Sequence, residues 1–361
     1  MISARKFLLK MTAACSLSIA FAGLGAMSTD AAAQTAPAIN VTNAVKSLQI
    51  TSGPYANGYL IAPNGMLNWY FTNLGLLPIV QYLSPADLNT YVLSYLNLYI
   101  KNLTVNSTIS DVTFTPGTNN FVLVPSDSDD SYAATFLSLA VRYVNTSQNW
   151  TWWAANEAAL KNMAYRNLAV MQKPGDGLIS TFQPPRNQTN ALGYLMDNSE
   201  DYRGLRDFAS VLRNRGETAD ANYYDLVATG IADGISIHLY DTSHAGFMTS
   251  DGDAQATTIF YAGTTCQVFP QAFGISELSA YYSHSWTYLN QYSQNWQNGQ
   301  YNSFPWAILG YVAAMRGLTV QAQAQLQMIN TLFVNNRAMV TLNELGFYQR
   351  TQSLLAGRPA T

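Results

Sequence analysis

The chain has 361 residues, of which 48% are hydrophobic, 12% aromatic and only 11% charged. A typical soluble domain carries roughly 25% charged residues, so much of the polar surface here must be uncharged amide and hydroxyl. The hydrophobic content excludes a disordered chain. A formal net charge of -3 argues against a nucleic-acid partner, which needs clustered Lys and Arg.

Arg5, Lys6 and Lys10 precede an apolar, small-residue run over 11–27, and Ala31-Ala32-Ala33 offers a cleavage site before Gln34. This is the pattern of a secretory signal peptide over 1–33. The uncharged run is short and rich in Ala, Gly and Ser, which disfavours a membrane anchor. Too little apolar sequence precedes Cys15 for it to be a lipoprotein cysteine. Processing leaves 34–361 as one domain, soluble in a periplasm or the medium. Cys266 is then its only cysteine, so no internal disulfide forms. No later segment reaches the length of a transmembrane helix.

Residues 34–60 read as a lead-in, with turns at Gly53-Pro54 and Asn57-Gly58. The stretch 66–83 is apolar and helical. Ser84-Pro85-Ala86-Asp87 reads as an N-cap, a first-position proline and a first-turn acid. The helix it opens runs to about Lys101, with Leu88, Tyr91, Val92, Tyr95, Leu96 and Tyr99 at helical spacing. Over 103–126, Thr, Val, Ile and Phe alternate with polar residues around Pro116-Gly117, which predicts a short hairpin. Helical pattern returns over 129–144, 152–172, 197–213 and 217–239. A second β-like excursion is expected over 240–264, with a turn at Ser250-Asp251-Gly252-Asp253 and a strand at 257–261. Helices follow over 266–280, 284–297, 304–315, 320–334 and 339–355. Pairs of helices joined by short turns, with no βαβ alternation, predict an all-α toroid of hairpins. A solenoid would show a fixed period, which is absent, and a bundle would not explain the β-like excursions.

Acidic residues are scarce, so their clustering carries weight. Asp127, Asp129 and Asp130 crowd one predicted helix start, followed by Tyr132. Asp197 and Glu200 stand at i and i+3 at another, flanked by Tyr194 and Tyr202. Both clusters could serve as caps. Three acids within four residues exceed what a cap requires, and their mutual repulsion points to chemistry instead. If both helices line the inner ring, the clusters face one cleft. Two carboxylates across a sugar are the minimum apparatus of glycoside hydrolysis, one acting as acid and the other as base or nucleophile. Asp130 beside Asp127 would raise the acid's pKa.

Other motifs are weak. Asp251-Gly252-Asp253 resembles a fragment of a calcium loop, but EF-hand spacing is absent and a tight turn is the plainer reading. His238, His244 and His284 stand in no metal-ligand motif. His244 lies in the second excursion, where it could touch substrate. No nucleophile elbow, phosphate loop or dinucleotide fingerprint occurs, so no cofactor is expected. Cys266 reads as a small core residue. The chain has seven Trp and 23 Tyr. Trp69, Tyr70, Trp286 and Trp306 fall near helix starts or loops, where rings can stack on sugar faces. Trp150, Trp152 and Trp153 cluster on one turn and must partly be core.

At the two acidic clusters the sequence resembles secreted bacterial proteins of the six-hairpin glycosidase-like class. The resemblance is carried by residues 127–137 and 194–205, with Gln267-Val268-Phe269-Pro270 and Phe304-Pro305-Trp306-Ala307 following in order. It runs from about 53 to 340 and implies an (α/α)6 toroid. One departure is visible: where Tyr-Pro-Asp is expected before the glutamine, the chain has Tyr261-Ala262-Gly263-Thr264-Thr265-Cys266. The reading is an exported glycoside hydrolase acting on a polysaccharide or oligosaccharide. Its expected catalytic residues are Asp127, Asp130, Asp197 and Glu200. Its expected substrate contacts are Trp69, Tyr70, Tyr132, Tyr194, Tyr202, His244 and Trp306. A catalytically silent carbohydrate-binding toroid is the alternative. A polysaccharide lyase ranks third, because few cationic residues are available for uronates.

Overall fold

The computed structural model describes residues 36–115, 120–185 and 191–361. The signal segment 1–33 and Pro116-Gly117 lie outside them.

Local chemistry places most helix starts. Asn68 opens α2 (Trp69–Leu76) by accepting the Phe71 amide on its side chain at 2.8 Å. Ser84 accepts the Asp87 amide and Pro85 takes the first helical position of α3 (Pro85–Asp87). That helix passes through a π-helical stretch, Leu88–Leu93, into α4 (Ser94–Lys101). The expected hairpin forms as β1 (Ser110–Phe114) and β2 (Phe121–Pro125), antiparallel with Val112 opposite Leu123.

The helices fall into two rings. The inner ring is α2, α5 (Asp130–Ser147), α7 (Leu195–Asn214), α9 (Phe269–Ala272), α11 (Ile308–Met315) and α13 (Leu342–Leu355). Each packs on the next, and α13 closes on α2. The outer ring is α3–α4, α6 (Trp150–Asn167), α8 (Thr218–His238), α10 (Tyr282–Tyr292), α12 (Thr319–Asn335) and the N-terminal α1 (Val41–Lys46). α1 packs on α13 from the other end of the chain. The two kinds of helix differ in burial. α5 is buried around nearly its whole circumference, whereas α6 buries a stripe containing Trp152, Trp153, Leu160, Met163 and Ala164. This is an (α/α)6 toroid. Short inner-to-outer turns and long returns leave the inner helices parallel, with their N-termini at one mouth.

Where helices must touch closely, glycine is present. A Cβ on Gly204 would come within 2.6 Å of the Ala134 carbonyl oxygen, so α5 and α7 approach backbone to backbone. Gly75 and Gly346 do the same where α13 meets α2.

Two expectations change. The strand at 257–261 is absent; that segment leads into a π-helical turn, Phe260–Thr264, in which Gly263 packs on the Thr257 carbonyl. The long helix over 266–280 is broken into Thr265–Val268, α9 and Ser276–Tyr281. Pro270 lacks an amide to continue a helix, and Gly274 turns the chain at φ +73°. The second excursion keeps only a two-residue ladder, β3 (Tyr240–Asp241) with β4 (Gly246–Phe247). No described helix is long and apolar enough to cross a membrane.

Candidate active site

The acidic clusters do not cap their helices. Asp129 precedes α5 with no side-chain bond into it, its Oδ2 instead accepting the Gln183 amide at 2.9 Å. Asp130 Oδ1 accepts the Ser131 amide. Tyr194 precedes α7 and also makes no side-chain cap. Its strand-like bridge to Ser250 and the Asn198 side chain, bonded to both Tyr194 and Ile179, fix that entry. The carboxyls are therefore left for other work.

Asp127, Asp197 and Glu200 converge at the N-terminal mouth of the inner ring. Asp127 is exposed, Asp197 half-buried and Glu200 buried. Loss of hydration raises the Asp127 pKa, and the nearby Tyr132 hydroxyl works against that rise. Burial, and then the Asp127 charge, push Asp197 up to about 7. Burial, and then Asp197, hold Glu200 well above the ordinary carboxylate range. Glu200 Oε1 accepts the Tyr70 hydroxyl at 2.6 Å, while its Oε2 has no partner. At the positive end of parallel helices these acids would ordinarily be ionised. Desolvation and mutual repulsion outweigh that effect here.

Aromatic rings and hydroxyls surround these carboxyls at the same mouth. Tyr70 stacks on Tyr132 with centroids 5.7 Å apart. Tyr194 is half-buried and feels Asp197 after its own burial. Tyr261 feels Asp127, Asp197 and Tyr194, and it stacks on Trp306 at 4.7 Å. Trp306 has φ +52°, a conformation uncommon for a bulky residue. Glu344, buried in the first turn of α13, holds that bend by accepting the Ala307 amide at 2.6 Å. Burial pushes Glu344 up to about 7, against these backbone hydrogen bonds.

Four predicted contacts fall elsewhere. Trp69 is fully buried, donating its indole N–H to the Ser110 carbonyl and packing on Tyr95 and Tyr99. Tyr132 is also buried; it lies behind Tyr70 with its hydroxyl proton donated to Asp111 at 2.6 Å, and it touches the site only through its influence on Asp127. Tyr202 donates to Glu277 and carries the Arg206 guanidinium over its ring. His244 is bonded to Asp241 in the β3–β4 turn. Asp130 is not the neighbour that raises Asp127. It is fully buried, and its largest charge influence is Asp201 on α7.

Tyr261, Asp201, Asp111 and Glu344 were not singled out from sequence. Glu344 follows Thr341 by three residues, so it reads as half of a capping box. Thr341 makes no such cap. Asp251 and Asp253 behave as turn residues: Asp253 accepts the Ser250 amide, and Asp251 pairs with Lys173 and accepts the Gly193 amide.

The fold is shared with known glycosidases. A rhamnosidase from Klebsiella oxytoca with rhamnose bound superposes at a TM-score of 0.61 and 11% identity, covering 89% of this chain. This chain spans 66% of that enzyme, just under two thirds of its length. A glycosidase variant in complex with glucose aligns at a TM-score of 0.56 and 13% identity, covering 88% of this chain and 96% of its own. The GH76 α-mannanase of Bacteroides thetaiotaomicron aligns at a TM-score of 0.53 and 12% identity, covering 86% and 93%. At these identities the common property is the toroid itself. No protein-family model and no curated protein matches the chain.

Proposed function

We propose that the protein is an exported glycoside hydrolase acting on a neutral polysaccharide or oligosaccharide. The observation that carries this reading is the convergence of Asp127, Asp197 and Glu200, with raised pKa values, at a mouth surrounded by Tyr70, Tyr194 and Tyr261. Asp197, with a pKa of about 7, is the general acid that protonates the leaving oxygen. Asp127, the most open of the three, is the carboxylate that activates water or attacks the anomeric carbon. Glu200, its pKa raised chiefly by burial, is held by Tyr70 and offers a hydrogen-bonding group beneath them. A wall of phenols and a chain of low charge suit a neutral sugar better than a uronate. The signal-like 1–33 segment supports export.

The test is release of reducing ends from a panel of neutral polysaccharides. Wild-type protein releases sugar, while Asp127→Asn and Asp197→Asn lose roughly 10²-fold or more of the rate and keep binding. A wild type that binds one polysaccharide but cuts none would replace this reading with the binding toroid. N-terminal sequencing of secreted protein checks export, with a mature start near Gln34 expected.

A further inference from the structure

Deeper in the ring, beyond the carboxylate mouth, lies a cluster of opposite sign. Arg203 on α7 pairs with Asp207 one turn on, and Arg142 on α5 and Arg350 on α13 both feel the charges of Arg203 and Asp207. Asp207 is already committed. Its Oδ2 accepts from Arg203 Nε at 3.0 Å and from the Ser138 hydroxyl at 2.8 Å, and its Oδ1 accepts from Arg203 Nη2. Neither Arg142 nor Arg350 has a carboxylate within ion-pair distance among the described residues.

Arg350 is only 6% exposed, and its Nη2 has no hydrogen-bond partner. Its guanidinium lies over Tyr311 and Phe347, centroids 5.6 and 5.2 Å away, and interacts with both Arg203 and Asp207. Arg142 gives one N–H to Gln81 at 2.9 Å, and its buried Nε has no partner. Arg203 is 51% exposed on its side chain and forms the solvent-facing wall. Compensation of the parallel helix dipoles does not account for the excess charge. Arg142 and Arg350 each precede the last residue of their helices by five positions, and Arg203 lies in the middle of α7. The dipole acts within the last turn. Buried guanidinium N–H groups without acceptors are unfavourable, and a multidentate oxyanion satisfies several at once.

We propose that Arg142, Arg203 and Arg350 form a binding site for a tetrahedral oxyanion of the phosphate or sulfate type, separate from the carboxylate mouth. The anion enters past Arg203 and completes the charge balance that Asp207 begins. The site requires nothing of the hydrolase reading, because its readout is anion binding.

The test is calorimetric titration of the full chain with sodium phosphate and, in parallel, sodium sulfate and sodium acetate, at constant ionic strength set with sodium chloride. The expected result is one saturable site for phosphate or sulfate, with a raised Tm. Arg350→Met abolishes it, and Arg203→Gln weakens it about tenfold, equivalent to roughly 1.4 kcal/mol. Asp127→Asn, at the other mouth, leaves it unchanged. A wild type that takes up neither phosphate nor sulfate, or responds to acetate alone, overturns the proposal. So does an Arg350→Met protein that binds phosphate like wild type. If Arg350→Met fails to fold, undiminished affinity in Arg203→Gln overturns it equally.

Discussion

The Tyr70 hydroxyl on α2 donates to Glu200 Oε1 on α7 at 2.6 Å, bridging two inner helices that have α5 between them in the ring. The bond lowers a pKa that burial otherwise raises, and it is the only one that Glu200's side chain receives among the described residues. Tyr70→Phe leaves both carboxyl oxygens unpartnered. Denaturant unfolding should show a loss of about 1–3 kcal/mol, the cost of a buried acceptor without a donor.

Glutamine keeps the shape of Glu200 and an acceptor for Tyr70, so Glu200→Gln should keep most of the hydrolytic rate. Glu200→Ala should lose it along with the Tyr70 contact. A Gln variant as inactive as Asp197→Asn would move the acid role to Glu200. Rates on one soluble polysaccharide, with binding measured alongside, make the comparison.

Activity should fall as pH rises through about 7, where Asp197 gives up its proton. The pH profile of kcat checks this directly. In an Asp197→Asn background, any residual rate should lack that alkaline limb.

Stability should also favour mild acid. Burial, before any neighbouring charge, holds Asp111 at about 8 and Asp197 and Glu344 at about 7 in the native state. These exceed unfolded values near 4, so the native state binds more protons than the unfolded chain between those limits. Their contribution is complete below about pH 4 and is lost as pH rises through 7 to 8. Asp225 and Glu277 act in the opposite sense. Partial burial works upward on both, but hydrogen bonds, to Arg206 and Arg213 for Asp225, leave both pKa values lowered. Their contribution fails below about pH 4. Thermal melts from pH 3 to 9 should peak at mildly acidic pH, and Glu344→Gln should flatten the alkaline decline.

Two tryptophans separate core from cleft. Trp69→Ala removes a fully buried ring and should cost about 3–5 kcal/mol in urea unfolding. Trp306→Ala removes the ring behind Tyr261 and should raise KM with a smaller stability loss. Equal KM effects from both would contradict the geometry.

Much of this architecture is readable in the residues, for physical reasons. Ser84-Pro85 and the spacing of Leu88, Val92, Tyr95 and Tyr99 depend on neighbours in the chain, and the helix forms as expected. The acids at 127 and 197–200 stood out because a chain so poor in charge places them together. Trp69 and Tyr132 were misplaced because a ring beside a helix start can face either the cleft or the core, and only packing decides. Tyr261 and Glu344 were missed because their importance comes from contacts with Trp306, Ala307 and distant Asp127. The arginine cluster draws on α5, α7 and α13, which no local pattern joins.

The last helical hairpin of the ring is assembled from opposite ends of the polypeptide. α13 is its inner member and α1 its outer one, joined by the Ile39 amide donating to Tyr348 at 3.2 Å. The seam is also where Leu342 donates its amide to the Ile61 carbonyl at 2.8 Å. Closing the ring therefore requires contact between residues 309 positions apart, a pairing that carries a large loop-closure cost. A gene rearranged to begin at the exposed Gly216 turn, with residue 361 linked to residue 36, would make that pair sequential and shorten the loop that closure spans.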